Sequence, residues 1–209
     1  MESENDRMEY VFIHGLGQKS SSWNKTISFM SNSAHISCPD LLTILNQEEV
    51  VYENLYLAFS QYCDNISGRL NLCGLSIGAI LALNYTIDRP EKVRSLALIG
   101  AQYKMPKSLL KLQNIVFRLM PKNSFMTTGF QKKDFIQLTN SMLDLDFSKR
   151  LKDISCPALI ICGGKDRANK KAAKTLFKSI SNAEFHLIEE IGHEVNIEAP
   201  ELLANIICN

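Results

Sequence analysis

Short continuous apolar runs recur along the chain, each stopped by glycine or proline and followed by a stretch of helical periodicity. Tyr10-Val-Phe-Ile13 is the first, ended by His14-Gly15-Leu16-Gly17. A run without polar alternation suits a strand buried on both faces. Ala34–Cys38 predicts a second, weaker strand stopped by Pro39-Asp40, Arg69–Cys73 a third cut off by Gly74, and Val93–Ile99 a fourth before Gly100. Pro157–Cys162, ending in Gly163-Gly164, and Glu184–Ile188 complete a set of six. Between the strands, apolar positions recur at helical spacing: Val51, Leu55, Phe59 and Tyr62 within Glu48–Cys63, then Ile80, Leu81, Asn84 and Ile87 within Ile77–Asp88. Ala173, Leu176, Phe177 and Ile180 mark a further helix, and Glu201–Ile207 a last one with Pro200 at its first turn. Strands alternating with helices mean βα units. The expected fold is α/β: a mostly parallel twisted sheet of about six strands with helices on both faces.

One interval breaks the alternation. Between Gly100 and Pro157 only helical pattern appears, first through Leu109, Leu112, Val116, Leu119 and Met120 up to Pro121, then through Phe135, Leu138, Thr139 and Met142. Residues 102–155 therefore read as a helical insertion, and residues 1–101 with 156–209 as the core that carries it. The insertion is expected to cap the carboxyl ends of the strands, where α/β sheets bind ligands. Two ordinary helices packed on the sheet are the alternative.

Composition narrows the class. The chain has 209 residues, 45% hydrophobic and 22% charged, enough for one domain that builds its core without disulfides or metal. Lys and Arg number 23 against 22 Asp and Glu, a net charge of +1, which argues against a nucleic-acid binder. No apolar run approaches the roughly 20 residues of a membrane-spanning helix, so no membrane insertion is expected. Met1–Arg7 is mostly polar and acidic and does not read as a secretory leader, which points to a cytoplasmic protein. The six cysteines form no C-x-x-C pair, and no histidine stands at zinc-ligand spacing from a cysteine pair. They read as buried free thiols in a reducing compartment, with no metal and no cofactor expected. Nothing in the pattern specifies an oligomeric state.

The candidate chemistry centres on Gly74-Leu75-Ser76-Ile77-Gly78, which follows a predicted strand and opens a predicted helix. A nucleophile forced into such a turn sits at a strained backbone angle, and its neighbours two residues away must be small. A serine hydroxyl needs a base to take its proton. Of His14, His35, His186 and His193, only His193, in Ile191-Gly192-His193-Glu194, falls on a loop just after a strand and late in the chain. The base in turn needs an orienting carboxylate. Asp166, in Gly163-Gly164-Lys165-Asp166, is the first choice, with Asp144 and Asp146 of the insertion as runners-up. The turn after the first strand brings the Leu16 backbone N–H towards the serine, and with the Ile77 N–H it forms a candidate oxyanion site. The same turn lacks the full pattern of a phosphate-binding loop.

These elements together resemble a small α/β-hydrolase fold protein with a short helical cap. The resemblance runs from His14-Gly15-Leu16-Gly17 and Trp23 through Pro39-Asp40, Gly74-Leu75-Ser76-Ile77-Gly78 and Asp88-Arg89-Pro90-Glu91-Lys92-Val93. It continues through Gly163-Gly164-Lys165-Asp166 to Gly192-His193-Glu194 and Pro200-Glu201. It implies a Ser76, Asp166, His193 triad with Leu16 and Ile77 as oxyanion donors, and gives His14 and Trp23 structural or pocket-lining roles. Two departures from the resemblance stand out: nine residues precede Tyr10, so the edge hairpin that often comes before the first strand is expected to be absent, and Leu41-Leu42-Thr43-Ile44-Leu45 replaces a common Gly-x-Gly turn.

The expected function is a serine hydrolase acting on carboxylic esters or thioesters of small apolar acyl substrates. Leu109, Val116, Phe117, Met120 and Phe135, with His14 and Trp23, are the candidate pocket residues. A lyase, a carbon–carbon bond hydrolase or a small-molecule receptor on the same fold is the alternative. An anionic substrate of that kind would call for Lys104, Lys107, Lys111 or Arg118 to face Ser76.

Overall fold

The computed structural model describes residues 8–30, 34–125 and 129–208; residues 1–7, on which the reading of the leader rests, lie outside the described residues. The chain forms β1 (Glu9–Ile13), a 3₁₀ turn at Ser20–Trp23, α1 (Asn24–Ser28), β2 (His35–Ser37), α2 (Leu41–Leu45) and α3 (Tyr52–Asp64). It continues through β3 (Leu70–Leu75), α4 (Ile77–Asp88), β4 (Val93–Ile99), α5 (Lys107–Leu119) and α6 (Lys132–Ser141). The last elements are β5 (Ala158–Gly163), α7 (Lys170–Ser179), β6 (Ala183–Ile188), α8 (Val195–Glu198) and α9 (Pro200–Cys208).

The six strands form one parallel sheet in the order β2-β1-β3-β4-β5-β6. After β1 the chain adds β2 on one side, then crosses to place β3 on the other, so the direction of winding reverses between β1 and β3. Such a switch point leaves a crevice at the carboxyl ends of the two strands. Ile13 is in register with Gly74 there, which sets the turn after β1 beside the turn after β3. β2 and β6 are the edges of the sheet.

Alternate residues of each strand feed opposite layers. Val11, Ile13, Leu70, Leu72, Leu96 and Leu98 pack with residues of α2, α3, α4 and α7. Phe12, Cys73, Leu75, Ile99 and Ile161 face the other way, against Trp23, Val195, Leu203 and Ala204. Burying a large apolar side chain fully stabilises by about 2 kcal/mol, so both layers contribute substantially.

The Leu41–Leu45 segment forms the helix α2, which Asp40 caps by accepting from the Thr43 N–H at 3.3 Å. The helical interval after β4 enters and leaves through a short antiparallel neck. Met105 N–H donates to the Leu145 carbonyl at 3.0 Å, Phe147 N–H donates to the Tyr103 carbonyl at 2.8 Å, and Lys104 pairs with Asp146 at 2.7 Å. Within it α5 packs on α6, and Phe117, Phe125 and Phe130 surround Phe135 with ring centroids 4.8 to 5.9 Å away. Cys63, Cys73, Cys156 and Cys162 are buried thiols as expected, whereas Cys38 is half-buried and Cys208 is exposed at the end of α9. No described helix is long and apolar enough to cross a membrane, and no group of acidic, histidine or cysteine side chains among the described residues could hold a metal ion.

Candidate active site

Ser76 stands between β3 and α4 with φ 56° and ψ −116°, a conformation that L-residues avoid. Its own N–H is held by the Ile99 carbonyl of β4 at 2.9 Å, and its carbonyl accepts the first helical bond, from Ile80 at 3.1 Å. The flanking glycines are dictated by contact. A β-carbon on Gly74 would lie 2.3 Å from the Gly78 carbonyl oxygen, and one on Gly78 would lie 2.3 Å from the Ile13 carbonyl oxygen. The strand thus turns into the helix with backbone pressed on backbone, and Ser76 is left half-buried at the tip.

The turn after β1 closes when Gln18 N–H donates to the Gly15 carbonyl at 3.1 Å, with Gly17 at φ 88° in the position that requires glycine. Among the described residues neither the Leu16 N–H nor the Ile77 N–H is taken up by a hydrogen bond of the fold. Both residues line the same cavity as Ser76.

Asp166 is buried in the turn between β5 and α7. Its Oδ2 lies 2.7 Å from His193 Nδ1, and the Asn169 side-chain amide donates to both carboxyl oxygens, at 3.0 and 2.8 Å. Burial pushes the Asp166 carboxyl up, but the hydrogen bonds from His193 and Asn169 outweigh it and hold the group below its ordinary 3.8. With a carboxylate against Nδ1, that nitrogen carries the proton, so Nε2 of a neutral His193 is left as the acceptor. Gly100, at φ 55°, makes room for the ring: a β-carbon there would lie 2.8 Å from His193 Cε1. The loop bearing His193 is itself pinned where Gly192 N–H donates to Glu198 at 2.9 Å. A buried network adds a second tie. Gln18 Nε2 donates to Glu194 at 2.8 Å and to Asn196 at 3.3 Å, and Asn196 Nδ2 donates back to Gln18 at 3.2 Å.

Ser76, Asp166 and His193 all line one cavity of about 670 Å³, together with Leu16 and Ile77. Its wall includes Ile80, Gly100 and Asn169 of the sheet side and, from the helical interval, Gln102, Met105, Leu109, Leu112, Val116, Phe117, Phe135 and Met142. No lysine or arginine is among the described lining residues. Three residues read from the sequence as candidate lining are elsewhere. Trp23 is fully buried on the opposite face of the sheet, its ring 5.0 Å from that of Phe12. His14 is buried as a brace: its Nε2 accepts from the Leu41 N–H at 3.1 Å while Nδ1 donates to the Gly15 carbonyl at 2.9 Å. Met120 packs half-buried beyond the end of α5. The runner-up carboxylates serve the helical interval instead, Asp144 paired with Lys107 and Asp146 with Lys104. His35 pairs with Glu9 at the sheet edge, and His186 lies beside Glu184, so His193 is the histidine on the cavity.

Gly100, Asn169 and the Gln18–Asn196 pair were not singled out by sequence. Only Asn169 had a local signal, three residues after an aspartate that begins a turn.

A parallel sheet with a strained serine at its switch point, in one cavity with a carboxylate-bound imidazole, fits the framework of a hydrolase. The chain belongs to the alpha/beta hydrolase family, whose family pattern matches residues 10–206. It is 21% identical to monoacylglycerol lipase ABHD6 of Mus musculus, over 94% of this chain and 73% of that protein. It is 22% identical to (E)-2-((N-methylformamido)methylene)succinate hydrolase of Acinetobacter baylyi, over 91% of this chain and 85% of that one. Among solved structures it resembles the enol-lactonase of Burkholderia xenovorans, with a TM-score of 0.84 at 16% identity, covering 99% of this chain and 92% of that chain.

Proposed function

We propose that the protein is a serine hydrolase that cleaves carboxylic ester or thioester bonds of small apolar acyl substrates. Residues 102–155 act as its helical cap. The observation that carries this reading is the shared cavity: Ser76 and His193 line it, His193 is bonded to Asp166 at 2.7 Å, and the rest of the wall is largely apolar.

His193 Nε2 takes the proton of Ser76 as the hydroxyl attacks the acyl carbonyl. Asp166 holds the imidazole in the required tautomer and stabilises the imidazolium. The Leu16 and Ile77 N–H groups receive the developing oxyanion, each donor lowering the barrier by about 3 kcal/mol. His193 then protonates the departing alcohol or thiol. Water, deprotonated by the same base, releases the acyl group from Ser76.

The absence of lysine and arginine from the described lining favours a neutral acyl group over the anionic substrate of a lyase or carbon–carbon bond hydrolase. Lys107 and Lys104 are instead engaged with Asp144 and Asp146.

The test is labelling of the folded protein with an active-site fluorophosphonate, followed by hydrolysis of an ester panel of increasing acyl length. Labelling confined to Ser76, with turnover lost in Ser76→Ala, is expected. Unlabelled Ser76 in folded protein, or turnover unaffected by Ser76→Ala, would sink the reading.

A further inference from the structure

The outer face of α5 is more apolar than its packing requires. Leu110, Asn114 and Phe117 turn inward, yet Leu112, Ile115 and Leu119 remain 58%, 53% and 80% exposed, and Leu109 and Val116 are also exposed. Five of the eleven exposed large hydrophobic residues among those described are therefore on this one helix. Positions 109, 112, 116 and 119 recur at helical spacing, so they form a continuous stripe. A contiguous apolar surface of this kind marks an interaction site.

Charge indicates what covers it. Residues 107–119 contain no acid, and from residue 102 to 143 the chain has seven lysines or arginines against a single acid, Asp134. Asp134 is itself buried, closing the capping box of α6. Lys111 and Arg118 flank the apolar stripe, exposed and without an ion-pair partner among the described residues. An apolar stripe bordered by cations is the pattern of a helix lying in a lipid–water interface. Leu109, Leu112 and Val116 belong at once to this surface and to the wall of the cavity that contains Ser76.

We propose that α5 docks on an anionic lipid surface, resting Ile115 and Leu119 in the interface with Lys111 and Arg118 at the headgroups. The helix lies on the membrane and does not span it. Acyl chains then enter the cavity along Leu112 and Val116 without crossing water; this delivery rests on the hydrolase reading above, whereas the docking does not.

The test is flotation of the full chain with phosphatidylcholine vesicles containing about one part in three phosphatidylglycerol, and with phosphatidylcholine alone. Wild type is expected to float with the anionic vesicles and less with the neutral ones. Ile115→Gln with Leu119→Gln should cut the bound fraction roughly tenfold while leaving turnover of a short soluble ester unchanged. Lys111→Glu with Arg118→Glu should abolish the preference for anionic vesicles. Ser76→Ala should bind as wild type does and lose hydrolysis, so hydrolysis retained by Ser76→Ala with intact flotation counts against the catalytic reading alone. The proposal is overturned if wild type does not float, or if the glutamine pair floats equally well, which would move the contact to the lysines of α7, Lys170, Lys171, Lys174 and Lys178. It is overturned too if light scattering shows a wild-type dimer that the glutamine pair dissolves, since a second copy then covers the stripe.

Discussion

Gly100 and His193 compete for one space: a β-carbon on Gly100 would stand 2.8 Å from Cε1 and 2.9 Å from Nδ1 of the imidazole. Gly100 also has φ 55°, so any side chain there is strained as well as crowded. Gly100→Ala should push the ring from Asp166 and lower kcat/KM by about a hundredfold, the scale of an ångström misplacement. Steady-state hydrolysis of a soluble ester, read beside a thermal melt to establish folding, checks it.

Ser76 sits in strained backbone geometry, at φ 56° and ψ −116°. Ser76→Gly should therefore raise the unfolding free energy by about 1 kcal/mol, while Ser76→Ala should not. Both should reduce kcat by about 10⁴-fold or more. Urea denaturation of the three proteins separates strain from chemistry; a glycine variant no more stable than the alanine variant contradicts the strain assignment.

Asn169 holds the carboxylate that holds the imidazole. Asn169→Ala should lower kcat about tenfold, because it loosens Asp166 and with it the imidazole. Its stability effect has a definite sign. The native Asp166 carboxyl lies below its ordinary 3.8, so its stabilisation is present above that pH and lost as pH falls through the native value. Removing the amide raises the native value, so the stability gap to wild type should be widest near neutrality and close in acid. Unfolding free energies measured from pH 7 to pH 3 test this.

His14 makes the opposite pH contribution to that expected of a salt-bridged histidine. Burial lowers it below the ordinary 6.5, against opposing pulls from the Gly15 carbonyl and Asp40. The unfolded chain takes up the proton that the native state resists, so stability is full above 6.5 and declines as pH falls below it. His14→Asn should be less stable at pH 7.5 but should lose less stability than wild type on passing to pH 5.5. Denaturant midpoints at the two values give the comparison; equal slopes would remove His14 from the account.

The strands were legible because each is a short apolar run with a glycine or proline stop, and the helices between them because their apolar residues keep a 3.6-residue period. Gly74 and Gly78 were legible from their spacing around Ser76, and the contacts at Gly78 and Ile13 give the physical reason. What the pattern did not carry was the direction a side chain takes after an element ends. Trp23 and His14 lie close in sequence to Leu16, yet one enters the far layer of the core and the other braces α2. Gly100, Asn169, Gln18 and Asn196 look like ordinary turn residues one at a time; they matter only because segments remote in sequence meet at them. The near-zero net charge concealed more still, since the cations gather on α5 and α7 while their counterparts lie elsewhere.

The tie between Gln18 and the Glu194–Asn196 segment spans a sequence separation of 176 to 178 residues. Synthesis runs from the amino terminus. A growing chain therefore contains β1 to β6, with Ser76 and Asp166, before the segment that anchors Gln18 and carries His193 has been made. Until then the turn bearing Leu16 lacks two of its polar partners, and the cavity wall beside Ser76 lacks His193. On the proposed mechanism, the carboxylate and the nucleophile are made before the base that would join them.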